Sequence, residues 1–178
     1  VAKPQPSFEQ LLSGGARNGA GERDEAVRQA IKTPARLPEL FDCIHSTDPR
    51  VALRAASAFD KATQDHPQRA RPFHDRIVLA AGEHLQADVR WHILHLFGRL
   101  EFHADERPAV MALLTRAIDE ETSKIAATNA LQAIVELAER YEDLHEEARR
   151  ITAIALEHPA PSVRARARKL ERTRLKQL

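Results

Sequence analysis

The chain reads as an all-α protein, a short α-solenoid of about four helix pairs preceded by one further helix, and three observations predict it. Apolar residues recur at helical spacing after residue 22, no segment alternates apolar and polar residues between hairpin turns, and two sets of apolar positions repeat about every 37 residues. A pair of such helices cannot bury its apolar stripe alone, whereas stacked neighbours share one continuous core.

The elements follow in order. Residues 1–21 are read as a flexible arm: Pro4, Pro6, Gly14, Gly15, Gly19 and Gly21 weaken helix there and leave Ser7 to Leu12 as one short turn able to dock. Residues 22–178 are read as a single domain. Its first helix, Glu22 to Lys32, carries Ala26, Val27, Ala30 and Ile31 at helical spacing with acids in the first turn, where the helix dipole favours them, and Pro34 ends it.

Beyond Pro34 the pairs begin. In the first helix of each, Ile44, Ala81, Ile118 and Ala155 recur at intervals of 37, 37 and 37, with Phe41, Ile77, Leu114 and Ile151 keeping the same rhythm with one residue of slack. In the second helix, Val51, Val89, Ile125 and Val163 recur at 38, 36 and 38. The first helices are expected over 36–45, 69–84, 106–120 and 143–157, and the second over 49–64, 88–101, 123–140 and 162–176. Asp48, Thr122 and Ser162 offer side-chain oxygens to helix amino ends, and Pro49 and Pro161 suit a first turn. Gly82 and Gly98, isolated inside helices, are read as permitting close contact, and His66, His103 and His158 as satisfying carbonyls at the ends of pairs.

Composition agrees. With 43% hydrophobic but only 4% aromatic residues in 178, the core must be built from Leu, Ile, Val and Ala, which favours thin repetitive packing over a deep pocket. Lys and Arg number 27 against 26 Asp and Glu, so a net charge of +1 supplies no general drive toward nucleic acid or anionic membranes. Cys43 is the single cysteine, no leader-like segment is visible, and no run approaches the roughly 18 apolar residues of a membrane helix. A cytoplasmic protein without membrane contact is the expectation.

The phrase Asp48-Pro49-Arg50-Val51-Ala52-Leu53-Arg54-Ala55-Ala56-Ser57-Ala58-Phe59 resembles the inter-helix turn and second-helix opening of the HEAT repeat (armadillo-like) family. Asp88-Val89-Arg90 and Ser162-Val163-Arg164 echo it, while Lys124-Ile125-Ala126 keeps the apolar position but not the Asp or Arg. The resemblance spans about residues 34 to 178. It implies a curved, right-handed superhelix used mostly as a binding scaffold, with the second helices on the concave face; it implies no particular ligand.

Helical steps taken from the position before the Val/Ile register place Arg50, Arg54, Ser57 and Lys61, then Asp88, His92, His95 and Arg99, then Lys124 and Thr128, then Arg166 and Lys169 on that face, in a stripe biased toward positive charge that breaks at Leu131 and Val135. Arg54, Lys61, His92, Arg99, Lys124 and Arg166 are therefore the candidate partner-binding residues, for an acidic protein segment. The same pattern also describes a solvated face that keeps the repeat soluble. From Ser162 to Leu178 seven basic residues face the single acid Glu171, a charge run that could contact phosphate or cap the last repeat.

Catalysis finds less support. His92 and His95 stand three apart, but a zinc site needs two further ligands at a recognised interval, and neither a metal nor any cofactor is expected. HEAT-like deoxyhypusine hydroxylases carry several His-Glu pairs where this chain has only His145-Glu146. A HEAT-like nucleic-acid-binding protein, including a DNA base-excision enzyme using Trp91, Asp88 and nearby arginines, is the alternative; Trp91 also reads as a packing residue beside Ile93, Leu94 and Phe97. The leading expectation is a non-enzymatic protein-binding scaffold.

Overall fold

A computed structural model describes residues 5–15, 21–83, 85–120 and 123–177. Among them all regular structure is helical, with no strand, and no helix is long and apolar enough to cross a membrane. The α-helices are α1 (Phe8–Ser13), α2 (Gly21–Lys32), α3 (Leu37–Asp42), α4 (Pro49–Gln64), α5 (His74–Gly82), α6 (Ala87–Phe97), α7 (Arg107–Glu120), α8 (Lys124–Ala138), α9 (His145–Leu156) and α10 (Pro161–Thr173).

The departures from the expected spans have local causes. α5 starts five residues later than the expected 69 because Pro67 and Pro72, which cannot donate to a helical ladder, stand in two consecutive 3-10 turns, Pro67–Arg69 and Arg71–Phe73. α6 stops at Phe97 rather than 101: the amides of Arg99 and Leu100 tighten onto Leu96 and Phe97 at 2.9 and 3.2 Å.

The chain forms two compact units, Val1–Pro72 and Phe73–Leu178. In the first, α4 is the central helix, with α1, α2 and α3 packed on it. Eleven of its sixteen residues are buried, which its alanines Ala52, Ala55, Ala56, Ala58 and Ala62 make sterically feasible. In the second, α8 takes that place: α6 and α10 flank it, α7 and α9 also pack against it, and α5 and α9 pack on α6 and α10.

Within the stretch read as an arm, α1 is docked on α2, α3 and α4, with Phe8 and Leu12 fully buried. Ser7 and Gln10 form a reciprocal capping box at its start. Residues 1–4 and 16–20 of that stretch lie outside the described residues.

The first-helix register holds: Ile44, Ala81, Ile118 and Ala155 are at most 4% exposed, and Phe41, Ile77, Leu114 and Ile151 are equally deep. The second-helix register needs a correction. Val51, Val89 and Val163 are buried, but Ile125 is 51% exposed and its neighbour Ala126 is fully buried. The cause is the helix start. The N-cap residues are Asp48, Gln86, Ser123 and Ala160, and the buried residue stands three positions after each, at 51, 89, 126 and 163. Ser123 accepts from the Ala126 amide at 3.4 Å, fixing the third helix one residue later than the apolar run alone indicates. Thr122, the expected cap there, lies outside the described residues. Ser162 is likewise not a cap; Ala160 holds that position and Pro161 opens the helix.

An arginine after the buried valine closes two of the turns. Arg90 donates to the carbonyls of Ala81 and Glu83, and Arg164 donates to those of His158 and Pro159 at 2.7 and 2.8 Å. Each thereby satisfies carbonyls that the end of the first helix leaves open. His158 itself does the reverse of what was expected, its Nδ1 accepting from the Ala160 amide at 3.0 Å.

Candidate partner-binding face

Shifting the third helix by one residue changes which side chains share a face. The stripe along α8 is not Lys124, Thr128, Leu131 and Val135. Thr128 is 7% exposed and the two apolar residues are fully buried, so all three belong to the core. Its members are Ile125, Asn129, Gln132 and Glu136, all at least half-buried except Ile125, and they match His92 and His95 on α6, Arg99 just past its end, and Arg166 and Lys169 on α10. The apparent apolar break in the stripe was a register error, and Ser123 as the cap was the signal that could have corrected it.

Polar contacts knit this face across the three helices. Asn129 donates to the Trp91 carbonyl at 3.0 Å, Arg166 to Gln132 Oε1 at 3.0 Å, and Gln132 Nε2 to Glu136 Oε1 at 2.7 Å. Arg140 donates to the Gly98 carbonyl at 2.7 Å. Arg174, just beyond α10, pairs with Glu139 at 2.7 Å and reaches Glu136 at 3.9 Å. Glu136 thus lies between Gln132 and Arg174, and its charge is felt at His95 and Arg99.

Electrostatics follow the burial. Arg99 is pushed down to about 10 because burial disfavours its charge, an effect that Glu136 opposes. His95 lies below its ordinary value of 6.5, first through burial and also through Arg166, against the pull of Glu136. The unfolded chain therefore takes up a proton on His95 before the folded chain does, so folding stability is full above pH 6.5 and falls as the pH drops below it. We expect urea midpoints to decline from pH 7.5 to pH 5.5, roughly the interval in which a depressed histidine acts, and the decline to be smaller in His95→Gln. The depressed carboxylates, Glu39 among them, lose their stabilising contribution only as the pH falls below 4.5, outside that window.

Gly98 makes the seat of Glu136. A Cβ at Gly98 would lie 1.9 Å from Glu136 Oε2, whereas one at Gly82 would meet nothing within 4 Å, so only Gly98 permits a close approach. Gly98 has ordinary right-handed helical angles, so the need is for space and not for backbone freedom. The flexible carboxylate can swing away, and Gly98→Ala should evict it at a cost of about 1 kcal/mol. Gly98 caps the end of α6 and does not lie in its interior as expected. In a Glu136→Ala background the same change should become neutral or stabilising, by up to about 1 kcal/mol, because alanine restricts the unfolded chain while fitting these right-handed angles. A double-mutant cycle read by urea unfolding checks this sign reversal.

The six expected residues are distributed over both units. Arg166 bonds to Gln132, and Arg99 is half-buried within the influence of the Glu136 charge. His92 is half-buried with its ring 4.5 Å from that of Trp91. Lys124 is exposed at the first position of α8, about 18 Å along the axis from Glu136 at 1.5 Å per residue. The other two are in the first unit. Lys61 lies 3.7 Å from Asp24. Arg54 is only 5% exposed and donates to the carbonyls of Leu12 and Gly14 at 2.6 and 2.7 Å, so it anchors α1 and offers no open surface.

Of the seven cations after Ser162, Arg164, Arg166 and Arg174 are engaged within the fold as described, while Arg168, Lys169, Arg172 and Lys176 are exposed. Trp91 Nε1 is buried and has no hydrogen-bond partner among the described residues. The second unit also holds an apolar recess of about 400 Å³ between α5 and α7, lined by Val78, Leu79, Phe102 and Val110, whose charged groups are Asp75 and Glu106. Its sign is opposite to that of the α6–α8–α10 face. No family model, curated protein or solved structure matches the chain.

Proposed function

We propose that this chain is a non-enzymatic cytoplasmic scaffold, built as a short right-handed solenoid of HEAT-like helix pairs, that binds an acidic protein segment on the face formed by its second helices. The observation that carries the proposal is the alignment of α6, α8 and α10 side by side with Arg99, Gln132, Glu136 and Arg166 in one polar, half-buried row. Cations outnumber the central carboxylate in that row, and Arg174 adds another at its edge. A glutamate or aspartate from a partner would find guanidinium donors already held in place, which lowers the ordering cost of binding. Glu136 competes with it for the same cations.

A glutamate-rich peptide, titrated by fluorescence anisotropy at low salt, tests the proposal. Saturable binding should weaken as salt rises. Arg166→Glu combined with Lys169→Glu should weaken it by about tenfold or more, equivalent to about 1.4 kcal/mol, and Glu136→Gln should strengthen it several-fold. Affinity unchanged by these substitutions would end the proposal. An oligonucleotide bound in preference to the peptide would favour the nucleic-acid alternative instead.

A further inference from the structure

The first unit holds a short helix in the manner of a bound ligand. α1 has only six residues, far below the roughly 12–15 at which an isolated helix becomes even marginally stable in water, so its form depends on its seat. That seat supplies partners for both ends of the helix. At the start, Glu39 Oε1 accepts from the Phe8 amide at 2.7 Å, and Arg36 donates to the Pro6 carbonyl at 2.9 Å while its guanidinium lies 4.2 Å from the centre of the Phe8 ring. At the end, Arg54 takes the carbonyls of Leu12 and Gly14.

A carboxylate thus meets the amino end and a guanidinium the carboxyl end, the arrangement that a helix dipole favours. Between them Phe8 and Leu12, four residues apart on one face, are completely buried, and Ser46 Oγ donates to Glu9 Oε1 at 2.7 Å. These are the features of helix-in-groove recognition: two apolar anchors at helical spacing, with the backbone ends of the helix also recognised. The segment that fills the groove leads into Gly14 and Gly15, the latter at φ 76°, a left-handed conformation suited to glycine.

We propose that the groove under α1 is a peptide-binding site, filled in cis by residues 5–15, and that its ligand in trans is a partner's short amphipathic helix with an aromatic residue and a leucine four positions apart. Such a helix enters by displacing α1. The intramolecular tether gives α1 a high effective concentration, so only a partner matching both anchors competes. This site is independent of the acidic-segment face on the second unit, and neither proposal depends on the other.

The test uses the full chain and a labelled synthetic peptide of residues 5–15. The double variant Phe8→Ala with Leu12→Ala vacates the groove; it should bind the peptide saturably and at least tenfold more tightly than the unaltered chain does. Adding Arg54→Ala should abolish that binding, and a peptide lacking the same phenylalanine and leucine should not bind. A double variant that keeps the helical signal of α2 to α10 yet binds no peptide would overturn the site. If that variant does not fold, hydrogen exchange on the unaltered chain decides. The Leu11 amide, which donates to Ser7 at 2.9 Å, should exchange at least tenfold faster than the amides in the middle of α4, and faster still with excess peptide. Exchange of Leu11 in step with α4 would mean that α1 leaves only on global unfolding, and the proposal would fail.

Discussion

Ala126→Glu should unfold the second unit or bring it close to unfolding, while Ile125→Glu, one residue away, should change stability by no more than about 0.5 kcal/mol. Ala126 is fully buried in α8, the helix on which α6, α7 and α10 all pack. A glutamate there must bury a carboxylate without a partner and force apart helices that approach closely because the residue is alanine. Together these cost more than about 4 kcal/mol, much of a typical domain's margin of about 5–15 kcal/mol. Ile125 is 51% exposed in the first turn of α8, where an acid is favoured by the unsatisfied amides. Urea midpoints of the two variants measure the difference. Equal losses, or the greater loss at Ile125, would restore the register read from the apolar run.

The second large effect is expected at Arg54. Replacement by alanine removes a buried guanidinium and strands the carbonyls of Leu12 and Gly14 at the end of α1. A loss of about 2–4 kcal/mol follows, from hydrogen bonds to a charged group and from carbonyls left without a donor. Arg54→Lys should recover only part of it, since an ammonium on a flexible stem does not reproduce the planar fork that spans two carbonyls. Urea unfolding gives the magnitude. A stability within about 0.5 kcal/mol of the unaltered chain would show that α1 is held by its apolar anchors alone.

Much of the fold was legible because helical period and breakers are local signals. Pro34, Pro49 and Pro161 marked boundaries correctly, and α4 spans the expected 49–64. The third pair misled because two apolar residues, Ile125 and Ala126, stand side by side, and hydrophobicity favours the larger. Its true register is set by a hydrogen bond from one backbone amide to Ser123. That single-residue slip hid Gln132 and Glu136, the residues at the centre of the face, and placed Lys124 and Thr128 where they do not belong.

Arg54 failed for a different reason. Periodicity puts it on the polar side of α4, and nothing in its neighbours reveals that a segment some 40 residues earlier covers it. Long-range contacts of that kind leave no local trace, whereas Arg99 and Arg166, whose partners lie on adjacent helices, fell within the expected stripe.

Residue-level mapping of the glutamate-rich peptide decides whether the second helices carry the binding face. Titrated into isotope-labelled chain and followed by NMR, it should perturb the side-chain signals of Arg99, Gln132 and Arg166 first and most strongly, with Glu136 released from its contact with Gln132. Perturbations confined to Arg168, Arg172 and Lys176, or absent from α6 and α8, would contradict a binding face on the second helices.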